Sequence, residues 1–361
     1  MKKLFAVCFL LTAVSCVWAQ DVNCPQILRL AQSTYEQGRL HELEGLLKNC
    51  LDKNLFTTEE KRQAYLLLTM SYIYLEEPEE ADGAMLNLLQ TDHFFEIDEN
   101  VHPAEFIALY RKFRTQPLFR LGASIAPGLN FPTVVTDFGA GQMATGSGRY
   151  SPRIGTQFTL SFEKDFIESK HADPSKRYYK LTIAPEISFA IRGFSYAGDF
   201  LPNDTNPEEP SATIETIQKI NRVELNPLVK WNLKKAKLNP YLVAGPGISY
   251  LLTNTFTGTT TRRLGGEGTI SGADIDALSV GRPVTFSGIV GIGGKARLGG
   301  VYVMAEVRYQ HGFSNFINTD QRNNPELLFN YGLPMDDLRT NSTSVHLGIL
   351  YAVFKPKKLI K

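Results

Sequence analysis

Beyond its first twenty residues the chain has no run of the ~20 apolar residues that a membrane-crossing helix needs. Helical spanning is therefore excluded, and a closed barrel is the only other backbone arrangement that satisfies every peptide group in lipid. Cysteine is scarce, with four residues, and Cys8 and Cys16 fall in the apolar leader. The remaining Cys24 and Cys50, with six scattered histidines, do not make a zinc ligand set. No metal or other cofactor is expected. The formal net charge is only +1, without the basic stripe that nucleic acid would require. Gly265-Gly266-Glu267-Gly268 is glycine-rich but lacks the following Lys-Ser/Thr of a phosphate loop. Asp199, Asp204, Glu208 and Glu209 lack the EF-hand ligand spacing and read as a solvated loop.

What is present begins with an export signal. Lys2 and Lys3 precede an apolar stretch over residues 4–18, and Val17-Trp18-Ala19 fits a small-residue cleavage site. This reading gives a signal peptide over 1–19 and a mature start at Gln20. Ala13-Val14-Ser15-Cys16 leaves a lipoprotein signal open as an alternative, although the usual Leu is missing. An even pair of cysteines in an exported chain points to a Cys24–Cys50 disulfide.

Residues 20–116 read as helical. Pro25 suits a first helical turn. Ile27, Leu28, Ala31 and Tyr35 recur at helical spacing until Gly38. Leu40, Leu43, Leu46, Leu47 and Cys50 form a second stripe, and an antiparallel pair joined at Gln37-Gly38 would bring the two cysteines together. Thr58-Glu59-Glu60-Lys61 opens a third helix. Tyr65, Leu68, Tyr72, Ala81, Met85 and Leu88 then follow the spacing of a tetratricopeptide unit, with Pro78 at the helix–helix turn. An ordinary helical bundle is the alternative. A last helix runs from Pro103 through Phe113.

From Leu118 the period becomes two. In 223–233, Val223, Leu225, Val229 and Trp231 alternate with Glu224, Asn226, Leu228 and Lys230. Residues 179–193, 301–309 and 345–353 behave alike. Alternation also suits soluble sheets, but these strands reach ten residues or more, as tilted membrane strands do. Their polar face is rich in small residues, such as Gly122, Ser124, Ala126 and Gly128. Strands are expected at 118–131, 153–164, 177–196, 218–234, 239–256, 283–298, 300–317 and 342–355. That is an even number, with long connections at 132–152, 197–217, 257–282 and 318–341. Tight turns are expected at Lys235-Ala236-Lys237 and Gly299-Gly300. Tyr178, Tyr179, Phe194, Tyr196, Trp231, Tyr241, Tyr250, Phe313 and Phe316 are expected to form interfacial aromatic girdles.

Four segments carry a family resemblance: 222–231 (RVELNPLVKW), 239–247 (NPYLVAGPG), 306–315 (EVRYQHGFSN) and 347–351 (LGILY). Over about 118–355 the chain resembles the PorT-like outer-membrane β-barrel family of Bacteroidota. The resemblance implies an eight-stranded up-and-down barrel. It also implies a role of the kind some members have, assisting the type IX secretion and gliding machinery. The helical leader departs from the family's barrel-only pattern.

The fold expected is therefore α+β and multidomain: a TPR-like helical domain followed by an eight-stranded antiparallel transmembrane β-barrel over 117–361. Its location is the outer membrane, with the N-terminal domain in the periplasm. Eight strands leave a lumen just wide enough for side chains to fill. Glu186, Arg192, Glu224, Lys230, Glu306 and Arg308 should pair there as a rigid plug, with a narrow polar conduit as the alternative. His311, Ser314, Ser344 and His346 fall near expected outer strand ends, but no nucleophile motif surrounds them and no catalytic residue is assigned. The expected function is a non-enzymatic accessory of a secretion or assembly complex, touching outer-membrane lipid and docking a periplasmic or outer-membrane protein. A small channel or ligand-transport barrel is the alternative.

Overall fold

The computed structural model describes residues 23–138, 148–168, 180–202, 210–233, 238–262, 268–323, 325 and 335–359. They form two compact units, one of 23–116 with 354–359 and one of 117–353. The leader, Tyr178, Tyr179, the Lys235-Ala236-Lys237 turn, Gly265 to Glu267, and Asp204, Glu208 and Glu209 lie outside the described residues.

The first unit contains α1 (Cys24–Glu36), α2 (Leu43–Asp52), α3 (Thr58–Tyr74), α4 (Pro78–Thr91) and α5 (Ala104–Tyr110). The Asn23 side chain caps α1, and Pro25 occupies the first turn, where its missing N–H is not needed. Beyond the end of α1, Gly38 takes a left-handed conformation (φ +78°) that a glycine adopts without strain. Leu28, Ala31, Leu43, Leu47, Cys24 and Cys50 turn inward, and the two cysteines are joined by a disulfide with Cα atoms 5.8 Å apart. The cap of α3 is Thr57. Its hydroxyl accepts from the Glu60 amide, while the Glu60 carboxylate accepts from the Thr57 amide at 2.8 Å, a reciprocal capping box. Leu68, Tyr72, Ala81, Met85 and Leu88 bury against Phe106 and Leu109 in one core.

The tail completes this unit. The Arg114 amide donates to the Lys357 carbonyl (2.9 Å), and the Leu359 amide to that of Lys112 (2.8 Å). The Arg114 guanidinium donates to the Lys355 carbonyl at 2.6 and 3.1 Å. Lys358 pairs with Asp82, and the Phe354 ring packs on His93 and Phe94.

The second unit is a ring of eight antiparallel strands: β1 (Phe119–Thr136), β2 (Arg149–Glu168), β3 (Lys180–Pro202), β4 (Pro210–Asn232), β5 (Leu238–Arg262), β6 (Val284–Leu298), β7 (Val301–Gly312) and β8 (Asp337–Val353). Each pairs with its neighbour in sequence, and β8 pairs with β1 from Phe119↔Val353 to Thr136↔Asp337. The ring therefore has no free edge, which a sheet in lipid requires. Two short strands, Gly268–Ser271 and Ile275–Asp276, pair with the far end of β5. β6 and β7 are joined by the two-residue corner Gly299-Gly300, where φ is +60° at Gly299.

Strand lengths depart from the sequence reading. β3 and β4 have 23 residues each and β5 has 25, about twice what crossing a bilayer needs. The expected loop 197–217 is largely paired strand, since β3 continues to Pro202 and β4 starts at Pro210. Asp199 accordingly sits in β3, where its carboxylate accepts from Thr213. Polar, threonine-rich sequence had read as loop because the pairing there is free of the apolar alternation that lipid imposes. β5 also carries an extra residue: Asn221 pairs with Thr253 but Arg222 with Leu251, leaving Leu252 as a bulge. The inward parity therefore changes from Tyr241, Val243 and Leu251 to Asn254 and Phe256.

The exterior is apolar. Leu121, Ile125, Leu160, Ile187, Leu225, Ile292, Leu347 and Ile349 are all exposed. A continuous belt of this kind is a membrane-facing surface. Of the residues expected in the girdles, Trp231, Tyr250 and Phe313 point outward, whereas Phe194, Tyr196, Tyr241 and Phe316 are buried inside the ring. Phe194 and Tyr196 share the even parity of Glu186 and Arg192, so the strand's own period places them in the lumen.

Candidate functional site

The strands alternate in direction, so every inward position of the ring contributes to one interior. At the end carrying the short turns, Arg120 donates to both oxygens of Asp165 (3.0 and 2.8 Å), and Lys180 also reaches that carboxylate at 2.7 Å. One level further in, Glu163 accepts from Lys230 (2.9 Å) and Lys295 (3.1 Å). Lys230 also donates to Glu306 at 2.6 Å, and Tyr241 donates to the same Glu306 oxygen at 2.5 Å. Arg308 then joins Glu306 (2.6 Å) to Glu186, to which it donates twice, at 2.6 and 2.9 Å. Lys230, Glu163 and Glu306 are fully buried or nearly so. Gly293 gives this column its room, because a Cβ there would lie 2.5 Å from Glu306 Cγ and 3.0 Å from Tyr241.

Arg192 and Glu224 form a separate level. Their closest approach is 2.8 Å, and Arg192 also donates to Ser342 (2.9 Å) and Gln310 (2.6 Å). The six charges selected from the sequence thus all point into the lumen. Lys230, Glu306, Arg308 and Glu186 are in one network, and Arg192 with Glu224 in another. Sequence reasoning left out Arg120, Glu163, Asp165, Lys295, Arg222 and Tyr241. Their signal was available: Lys295 continues the inward run Thr285, Ser287, Ile289, Gly291 and Gly293, and Arg120 continues that of Gly122 and Ser124.

The opposite end is filled differently. Phe194, Tyr196, Phe200, Ile220, Leu251, Phe256, Phe316, Ile317 and Leu338 form a second buried apolar cluster inside the barrel. Chain beyond the strands folds back onto it. The Arg282 amide donates to Phe316 (2.7 Å), the Asn318 amide to Val280 (2.8 Å), and the Phe316 amide to Leu338 (2.7 Å). Fully buried Asn254 holds the inner side of this lid. Its side-chain amide donates to the Ala277 carbonyl at 2.8 Å and accepts from Gln218 at 2.6 Å. Asn254→Ala would leave the buried Gln218 amide without its acceptor and the Ala277 carbonyl with the Val280 amide alone, about 1–3 kcal/mol of local stability. New protease cuts within residues 268–283, located by mass spectrometry, are the expected result.

The rim histidines are not a constellation. His311 is on the outside, stacked on Tyr309 and edge-on to Phe313. His346, read from the sequence as a rim residue, is 1 % exposed inside the lumen, opposite Glu306, because it has the even parity of β8. Its Nε2 lies 3.1 Å from the Ser344 hydroxyl, while Nδ1 has no hydrogen-bond partner among the described residues. In a Ser–His–Asp/Glu triad a carboxylate orients that second nitrogen; here the nearby Glu306 is taken by Lys230, Tyr241 and Arg308.

A closed ring with an apolar outside and a charged, filled inside defines a transmembrane β-barrel protein. The family described as outer membrane protein beta-barrel domain matches residues 115–318, more than half of the chain. The protein belongs to that family, and its place is the outer membrane. Comparison with curated proteins finds no match. Similar solved structures include Neisserial surface protein A, with 13 % identity and a TM-score of 0.27, covering 65 % of this chain and 96 % of that one. The outer membrane enzyme PagL has 14 % identity and a TM-score of 0.25, covering 64 % and 99 %. The outer membrane protease OmpT from Escherichia coli has 8 % identity and a TM-score of 0.28, covering 65 % and 96 %. At that level of similarity they assign no activity.

Proposed function

We propose that the protein is a non-conducting, non-enzymatic barrel that anchors a helical docking domain in the periplasm, as an accessory part of an envelope secretion or assembly complex. The observation that carries this reading is the lumen. A buried ionic column fills one end and an apolar lid the other, and among the described residues they leave transport no open route. β1 begins and β8 ends on the side of the short turns, the side that faces the periplasm in outer-membrane barrels. The helical unit is joined to both of those strand ends. Its TPR-like spacing and the PorT-like segments of the barrel support a protein-docking role.

Crosslinking in intact cells tests it, from a photoreactive residue at the exposed position Glu79 at the start of α4. Discrete high-mass adducts are expected. The purified barrel should also be silent in planar bilayers. Steady single-channel steps, together with no adduct from folded protein, would replace this reading by the channel.

A further inference from the structure

On the outside of the barrel, at the end away from the short turns, the register lines up an ordered patch. β8 lies between β1 and β7. Leu129, Thr343 and Tyr309 form an outward row across the three strands, next to the apolar belt. Phe131 with Asn341 makes the second row, and Thr133 with Arg339 the outermost. His311, two residues beyond Tyr309 on the same face, falls in the second row.

The rings of this patch are neighbours. Phe131 and Tyr309 come to 6.4 Å across β8 at an interplanar angle of 24°, and Tyr309 and His311 lie 6.3 Å apart at 27°. Phe313 meets His311 edge-on at 5.5 Å and covers Gly288 of β6, where a Cβ would lie 2.8 Å from its Cζ. The rings thus make one shelf over four strands. Asn341 has outward parity yet is only 4 % exposed beneath it. Its side chain donates to the Thr133 hydroxyl (2.8 Å) and accepts from the Gly312 amide (3.1 Å), which ties β8 to β1 and β7 under the shelf.

Arg339 stands at the outer margin. It is exposed and makes no hydrogen bond or ion pair among the described residues. None of the outward positions 129, 131, 133, 309, 311, 313, 339, 341 and 343 is a carboxylate. An aromatic girdle accounts for rings at a membrane interface. It does not account for their contact in one row beside a guanidinium without a partner.

This end carries the long connections, which in outer-membrane barrels lie on the cell exterior. The shelf therefore meets the outer leaflet, whose characteristic lipids are glycolipids with phosphorylated sugars. The C–H face of a pyranose ring fits an electron-rich aromatic face, and a guanidinium grips phosphate with two parallel hydrogen bonds. A phospholipid headgroup offers the phosphate without the sugar.

We propose that this shelf binds one outer-leaflet glycolipid through its phosphorylated sugar headgroup, with Phe131, Tyr309 and His311 against the sugar and Arg339 on the phosphate. The acyl chains would run down the belt along Leu129, Val345 and Val307, all exposed. The site is independent of whatever the helical unit docks.

Delipidated full-length protein in mild detergent, titrated with lipid A and read by native mass spectrometry, tests this. One lipid A per chain is expected, held about tenfold more tightly than phosphatidylglycerol. Arg339→Gln should weaken lipid A about tenfold, the loss of one charge-assisted phosphate contact. His311→Ala, which keeps Arg339 and removes a ring, should weaken lipid A and leave phosphatidylglycerol unchanged. Arg29→Gln, at an exposed position of α1, should change neither. A heat-modifiable electrophoretic shift establishes that each variant is folded. No lipid A on the wild type, phosphatidylglycerol held as tightly, or either variant at position 339 or 311 holding lipid A as the wild type does, overturns the proposal.

Discussion

Lys230→Met is expected to lower the stability of the folded barrel by about 3 kcal/mol. Breaking a buried ion pair by removing one partner typically costs about 3–5 kcal/mol, because the other charge stays buried. Lys230 stands between two carboxylates, Glu163 at 2.9 Å and Glu306 at 2.6 Å. The lower end of the range applies because Lys295 still reaches Glu163 and Arg308 still reaches Glu306. Lys219→Met, on the exposed face of the same strand, is the control and should change stability by less than about 0.5 kcal/mol. Denaturant unfolding in detergent, followed by Trp231 fluorescence and by electrophoretic mobility, measures both. Equal, small effects at the two positions would mean that water reaches Lys230, and the lumen would then have to be regarded as a conduit.

The Cys24–Cys50 bond should be the second large contributor, in the other unit. It closes a loop with a sequence separation of 26. Loop entropy alone assigns such a crosslink about 3–4 kcal/mol. Cys24→Ala with Cys50→Ala, or reduction of the native protein, should therefore loosen α1 and α2 while leaving the barrel folded. Limited proteolysis of the full chain reads this directly. Cuts within residues 24–52 should appear at a reductant-dependent rate, while residues 117–353 stay resistant. Unchanged resistance of the helices would show that their apolar core suffices without the bond.

The period-two pattern was readable wherever one face meets lipid, because there the solvent enforces alternation on every residue. Val223 to Leu233 is such a segment. The pattern fades where strands run past the apolar belt. Residues 197–202 and 210–217 pair as strand yet carry Asp199, Thr213 and Glu215, so composition placed them in a loop. The interior was partly legible for the same reason. Glu186, Arg192, Glu224, Lys230, Glu306 and Arg308 stand on strongly alternating segments, while Glu163 and Asp165 lie among charged neighbours that blur the parity, and Lys295 continues an inward run that contains two glycines. The lid was legible only at Phe194 and Tyr196, whose parity in β3 is that of Glu186 and Arg192. Its aromatic residues, Phe194, Tyr196 and Phe316, have the composition of a lipid-facing girdle, and the Leu252 bulge, which brings Asn254 and Phe256 inward, leaves no signal in the sequence. The TPR-like reading of α3 and α4 rests on spacing alone, since a bundle and a repeat bury the same stripe of Leu68, Tyr72, Ala81, Met85 and Leu88.

The tail carries one more consequence. Residues 354–359 hydrogen-bond to the segment 112–114, so the helical unit is built from segments on either side of residues 117–353. The helices are synthesised before the barrel, but the partner for Arg114 and Asp82 is made after it. A chain cut short anywhere in the barrel thus carries an unfinished helical unit, with the Arg114 amide and guanidinium lacking their acceptors. Only a polypeptide translated through β8 and beyond it can present the helical unit whole.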